Sequence, residues 1–194
     1  MKIGMLVEGE TDRGALPPIV SKLLGREVSP KFVYRKGGFQ GLMARKKFEG
    51  YVRAYGHLDV ELVIVVVDND RRPAGERRSV IESRIPSDVR KPVVIGIAVE
   101  MLEAWLIACP EAFEDSFGRP VRLKKKPEEY QDPKREVVNR FLEDNTMHRV
   151  LTRELARRIV DSGHWDADKA RRECPSLDDF FERLSNAVGE SPAD

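Results

Sequence analysis

Hydrophobic positions along the chain fall into four short apolar runs separated by helical periodicities. Lys2 to Val7 is apolar and of strand length, and Leu16, Ile19, Val20, Leu23 and Leu24 then recur as one face of a helix. Thr11 or Asp12 can cap that helix, and Gly25 ends it. Lys31 to Arg35 alternates as a short strand. A loop with Gly37, Gly38 and Gly41 follows, and Phe48, Val52 and Tyr55 mark a helix from Leu42 to Tyr55. Val60 to Val67 is uninterrupted and rich in β-branched residues, which predicts a strand buried on both faces in the middle of a parallel sheet. A basic loop from Arg71 to Arg78, a short helix at Ser79 to Ser83, an apolar run from Pro92 to Val99 and a helical stretch from Met101 to Ala108 complete the alternation.

Strand patterns stop at Pro110, and a loop rich in Pro and Lys leads into helices. Asp132 is placed to cap one of them with Pro133 at its first position, and Val137, Val138, Phe141 and Leu142 form its apolar stripe. Leu151, Leu155, Ile159 and Val160 repeat the pattern. Ser176 and Asp179 resemble a capping box ahead of Leu177, Phe180, Phe181, Leu184 and Val188, and the chain should fray from Gly189. The predicted fold is α/β: a mostly parallel sheet of about four strands flanked by helices over 1–110, and a helical extension packed on it over 111–194.

Composition narrows the class. With 41% hydrophobic and 35% charged residues in 194, the chain can build a core under a charged surface. No run approaches the roughly 20 apolar residues of a spanning helix, and the first residues lack the pattern of a signal peptide, so a cytoplasmic protein without a membrane partner is expected. Cys109 and Cys174 form no CxxC pair and read as reduced and structural. The three histidines lack zinc spacing, and no GxSxG elbow is present. A net charge of +1 does not by itself announce a nucleic-acid binder. Its distribution says more, because Lys31 to Arg53 is strongly basic. There Lys36, Arg45, Lys46 and Lys47 surround the glycine loop and could meet phosphate, although a plain strand-to-helix turn reads equally well. The run Lys124 to Lys126 reads as a solvated loop.

Acidic residues stand where three apolar runs end. Glu8 follows the first, Asp68 and Asp70 the third, and Glu100 and Glu103 the fourth. In a parallel sheet these ends share one edge, the edge at which open α/β folds bind ligands. Alternation would let Asp68 and Asp70 reach one ion, and helical spacing would make neighbours of Glu100 and Glu103. Carboxylates so gathered repel one another unless cations intervene. All-oxygen ligands without His or Cys suit Mg²⁺ or Mn²⁺. Arg71 and Arg72 are candidates to neutralise charge on a reacting phosphoryl group.

The segment Leu6-Val7-Glu8-Gly9-Glu10-Thr11-Asp12 resembles the first motif of the Toprim domain of OLD-type nucleases, and Asp68-Asn69-Asp70 resembles its DxD motif. Val99 to Ala108, with Glu100, Glu103 and Trp105, is similar to a motif of a small prokaryotic Toprim-like family catalogued as domain of unknown function 4276. The resemblance implies a metal-dependent nuclease in which Glu8 is the acid–base group or a metal ligand, Asp68 and Asp70 are metal ligands, and Asp12, Glu100 and Glu103 serve a second metal. Asp12 departs from the Glu usual in the OLD-type pattern, and no GxxxxGK[ST] sequence is present, so any ATPase would be a partner. Two other readings remain open: a non-catalytic module that binds nucleic acid or a partner ATPase, and a phosphatase with Asp68 as nucleophile. The second fits less well, since its DxD would lie on the third strand and Arg72 stands where Thr or Val is usual.

Overall fold

The structure is a computed structural model, and it describes residues 1–32, 38–73, 75–144 and 150–189, with the side chain of Arg45 outside the description. Among these residues four parallel strands form one sheet: β1 (Lys2–Leu6), β2 (Ser29–Phe32), β3 (Leu62–Asp68) and β4 (Val93–Ala98), in the order β2-β1-β3-β4. β3 is central and almost wholly buried, as its β-branched run requires. β2 runs from Ser29 rather than from Lys31, because its pairing with β1 (Lys2 opposite Ser29, Met5 opposite Phe32) decides its limits and its own pattern does not. Residues 33–35 of the expected strand lie outside the described residues.

Alternation along the strands divides the core between two faces. Ile3, Met5, Ile64, Val66 and Val94 face one side, where they meet α1 (Glu10–Leu23). Leu6, Val63, Val65, Val67 and Ile95 face the other, where they meet Phe48, Val52 and Tyr55 of α3 (Arg45–His57), which follows the short α2 (Gly38–Leu42). α4 (Glu76–Glu82) adds Ile81 to that second face. It begins inside the stretch expected to be a basic loop, so Arg77 and Arg78 are helical. Arg78 reaches the outer side of β4, where its Nη1 donates to the Ile95 carbonyl at 3.0 Å and its Nη2 pairs with Asp179 at 2.7 Å.

The C-terminal part is helical. After α5 (Glu103–Ile107) and α6 (Glu114–Phe117), a π-helical segment, Lys134–Asn139, runs into α7 (Arg140–Glu143). Asp132 caps it, its Oδ1 accepting from the Arg135 amide at 2.8 Å. α8 (Arg153–Asp161), α9 (Ala167–Glu173) and α10 (Pro175–Val188) complete the chain. Ile159, Trp165, Phe180 and Leu184 join the α1 face of the sheet in a single hydrophobic cluster. Two glycines make this packing possible. A Cβ on Gly14 would lie 2.0 Å from the Arg153 carbonyl oxygen where α1 meets α8, and one on Gly96 would lie 2.9 Å from the Phe180 ring where α10 meets β4. Ser176 is not a cap as expected: α10 starts at Pro175, and the Ser176 hydroxyl instead ties Val99, Trp105 and Glu128 together.

Candidate functional site

The chain leaves β1 towards β2 on one side and returns to β3 on the other, so a crevice opens beyond the carboxyl ends of β1 and β3. Glu8, two residues past β1, crosses this gap. Its Oε1 accepts from the Asp68 amide at 3.0 Å, and Gly38 of α2 lies close enough that a Cβ there would be 3.7 Å from Glu8 Oε2. Asp68, the last residue of β3, accepts through Oδ1 from the Leu102 amide at 2.9 Å, just before α5. Asp12 sits in the first turn of α1 and reaches back to accept from the Gly9 amide at 2.8 Å, so Gly9, and not Thr11 or Asp12, occupies the cap position. Glu103 opens α5 and is buried.

Glu8, Asp12, Asp68 and Glu103 act on one another electrostatically across this crevice. Burial pushes the Glu8 carboxyl up to about 7, and the Asp68 hydrogen bond and Arg77 only partly oppose it. Burial and then the charge of Glu103 push Asp12 up to about 6. Burial, Asp12, Glu103 and Glu8, in that order, hold Asp68 well above the usual carboxylate range. Asp12 and Glu103 are buried and Glu8 and Asp68 partly so, which makes it unfavourable for Glu8, Asp12 and Asp68 all to ionise beside Glu103.

Two cations reach this set, and the sequence reading identified neither. Lys134 Nζ lies 3.0 Å from Glu103 Oε1. Burial alone would lower the Lys134 ammonium, but Glu103, Asp12 and Asp68 more than reverse that and raise it. Arg77 is 4% exposed. Its Nε donates to the Asn69 carbonyl at 3.2 Å, its Nη2 pairs with Asp70 at 2.5 Å, and its plane covers the Phe39 ring at 3.9 Å. The remaining nitrogen, Nη1, is buried without a hydrogen-bond partner and lies 3.7 Å from Glu8 Oε1. One signal could have pointed to Lys134: a cation in the first turn of a helix opposes the macrodipole, so it needs a carboxylate from elsewhere.

The remaining expected residues are placed differently. Asp70 and Arg71 lie beyond β3 in left-handed backbone, at φ 47° and 57°, so strand alternation does not align Asp70 with Asp68. Glu100 is also left-handed, at φ 59°, and precedes α5, so it shares no helical face with Glu103; its carbonyl accepts from the Asp70 amide at 3.3 Å. Arg71 reaches the Gln131 carbonyl and Arg72 pairs with Glu76, so neither touches the carboxylates. Lys46 and Lys47 are exposed on the first turn of α3, while Lys36 and the Arg45 side chain lie outside the described residues. Trp105 is a core residue stacked on Phe180 at 5.6 Å, and both cysteines are buried thiols raised by that burial.

A family model described as a domain of unknown function, DUF4276, matches residues 7–185. The chain belongs to that family. The match begins one residue before Glu8 and ends inside α10, so in this DUF4276 protein one family unit takes in both the sheet and the helical part. Comparison with curated proteins and with solved structures gives no match.

In donor chemistry the crevice fits a hard divalent cation, since Glu8, Asp12, Asp68 and Glu103 offer only oxygen. Among the described residues no three such side chains form a ready-made ion-binding group. No helix among them is long and apolar enough to cross a membrane.

Proposed function

We propose that this protein is a Toprim-type phosphoryl-transfer enzyme dependent on Mg²⁺ or Mn²⁺, a nuclease that hydrolyses phosphodiesters of DNA or RNA by in-line attack. One observation carries the reading: four mutually repelling carboxylates, from the ends of β1 and β3 and the starts of α1 and α5, meet at the topological switch point of a parallel sheet. Structure alone rarely requires so many carboxyls pushed above their usual range at one place, and functional sites often do.

Asp68, Asp12 and Glu103 would hold the ion, with Glu8 beside them. A bound divalent cation supplies charge neutralisation at a phosphoryl oxygen and orients the substrate. The chain's own groups do the rest. Glu8, titrating near neutrality, can hold or release a proton at its carboxyl oxygen. Arg77 presents an unpartnered, buried N–H beside Glu8, a fixed positive charge for the developing phosphoryl charge. Lys134 keeps Glu103 in place and balances part of its charge.

The test is cleavage of circular plasmid, single-stranded DNA and RNA in Mg²⁺, Mn²⁺ or EDTA by the wild type and by Asp68→Asn. Metal-dependent cutting that falls by about 10³-fold in the folded variant is expected. A folded wild type that cuts none of the three in either metal overturns the nuclease reading. The alternative, a module that binds nucleic acid or a partner ATPase without cutting, draws on one feature: Lys134 and Arg77 already answer part of the negative charge from within the chain.

A further inference from the structure

The helix that sets Lys134 against Glu103 also forms one wall of a groove on the C-terminal part. Glu136, Val137, Arg140 and Phe141 come from that helix and Asp144 from its C-terminal cap, and the segment Arg119 to Lys124 makes the opposite wall, enclosing about 520 Å³. Four cations line it against two acids. Arg119 lies over the Phe141 ring at 4.9 Å and 3.7 Å from Asp144, and Glu136 is 3.7 Å from Lys125. Both acids are thus answered. Arg122, Lys124 and Arg140 are exposed and make no ion pair with any described residue. Lys124, the first residue of the run read from sequence as a solvated loop, is therefore on one side of a concave surface with three unanswered positive charges.

This groove lies in the half of the chain that is acidic in total, so its charge is a local arrangement rather than a consequence of composition. Concave walls of one sign focus potential, and guanidinium and ammonium groups that have no carboxylate partner are free to meet phosphate. The π-helical turn adds a geometric link. Lys134, in its first turn, touches the carboxylate crevice, and Arg140, six residues on, is in the groove. Such widened turns recur where a helix must aim side chains in directions that a regular repeat would not allow.

We propose that this groove holds the sugar–phosphate backbone of a nucleic acid whose scissile phosphodiester lies at the carboxylate crevice. It rests on the nuclease reading for what happens at the crevice, but not for binding itself. Arg122, Lys124 and Arg140 contact phosphates without reading bases, so recognition by the groove is independent of sequence.

The experiment measures binding of labelled single-stranded and duplex 20-mers of random sequence, in EDTA, by fluorescence anisotropy across a salt series. Arg122→Gln/Arg140→Gln is compared with Arg90→Gln/Arg172→Gln, which removes two exposed cations elsewhere. All four positions are exposed, and equal melting temperatures check that the fold is intact. Loss of affinity of about tenfold or more at roughly 0.1 M salt is expected for the groove variant, with a salt slope reduced by about 1.4 to 1.8. The other variant should change affinity less than about twofold. Equal effects from the two variants, or no salt-dependent binding by the wild type, overturn the proposal. The cleavage assay separates the two ideas. Cutting without groove-dependent binding removes the groove and leaves the nuclease, whereas groove-dependent binding without cutting under either metal does the reverse.

Discussion

Glu8 is the residue whose chemistry depends most on its position. A carboxyl raised from 4.5 to about 7 stays protonated in the folded chain at pH values where the unfolded chain has already ionised it. The folded state then binds more protons than the unfolded state, so stability falls as pH rises from about 4.5 to about 7, by about 3 kcal/mol for this group. Asp12, at about 6, contributes in the same direction over a lower window. Metal-free protein is accordingly expected to melt several degrees lower at pH 7.5 than at pH 5. Added Mg²⁺ or Mn²⁺ should raise the melting temperature more at pH 7.5, where the carboxylates are ionised, and scanning calorimetry at both pH values checks this. Equal metal effects at the two pH values would detach the ion from these carboxylates. Arg77→Gln removes the cation between Glu8 and Asp70. The expected loss is about 2 to 3 kcal/mol in urea unfolding, less than for a fully enclosed pair because Asp70 is 47% exposed.

Among the elements, α1 and α8 meet more closely than a methyl group permits. Gly14→Ala forces its Cβ onto the Arg153 carbonyl, a backbone atom that can yield only if α8 moves, and about 2 kcal/mol of destabilisation is expected from thermal unfolding. The strands and helices of the α/β part were legible because their hydrophobic periods are strong, and β3 is the clearest case. What could not be read were features set by partners distant in sequence. β2 begins at Ser29 because β1 lies beside it, and Ser29 and Pro30 carry no strand signal of their own. The strand ends correctly brought Glu8 and Asp68 together, while the left-handed turns at Asp70 and Glu100 undid the alternation and helical spacing assumed for them. Arg77 and Lys134 escaped notice because the pairing of a cation with a distant carboxylate is a property of the assembled fold: one is nine residues past Asp68, the other 31 past Glu103.

At the scale of the whole molecule, the sequence suggested a catalytic part over 1–110 and an appended helical part. The hydrophobic cluster on the α1 face draws on both, since Ile3, Met5 and Ile64 share it with Ile159, Trp165, Phe180 and Leu184. A fragment ending at Pro110 would expose that face to water and leave Glu103 without Lys134. It is expected to lack a cooperative melting transition by circular dichroism, whereas the full chain should show a single one; an independently folding 1–110 would refute the shared core.

The two margins of the sheet bear on behaviour at high concentration. A parallel sheet left open at its sides offers rows of unpaired amides and carbonyls on which a second chain can add as a strand, the first step of aggregation. Here the Arg78 guanidinium takes the Ile95 carbonyl of β4, and the Ser176 hydroxyl accepts the amide of Val99 just beyond it. At the opposite margin β2 contains Pro30, which has no amide to donate. Among the described residues each flank is thus interrupted, and on the β4 side the same side chains that fasten α4 and α10 in place also hinder neighbouring molecules from zipping together.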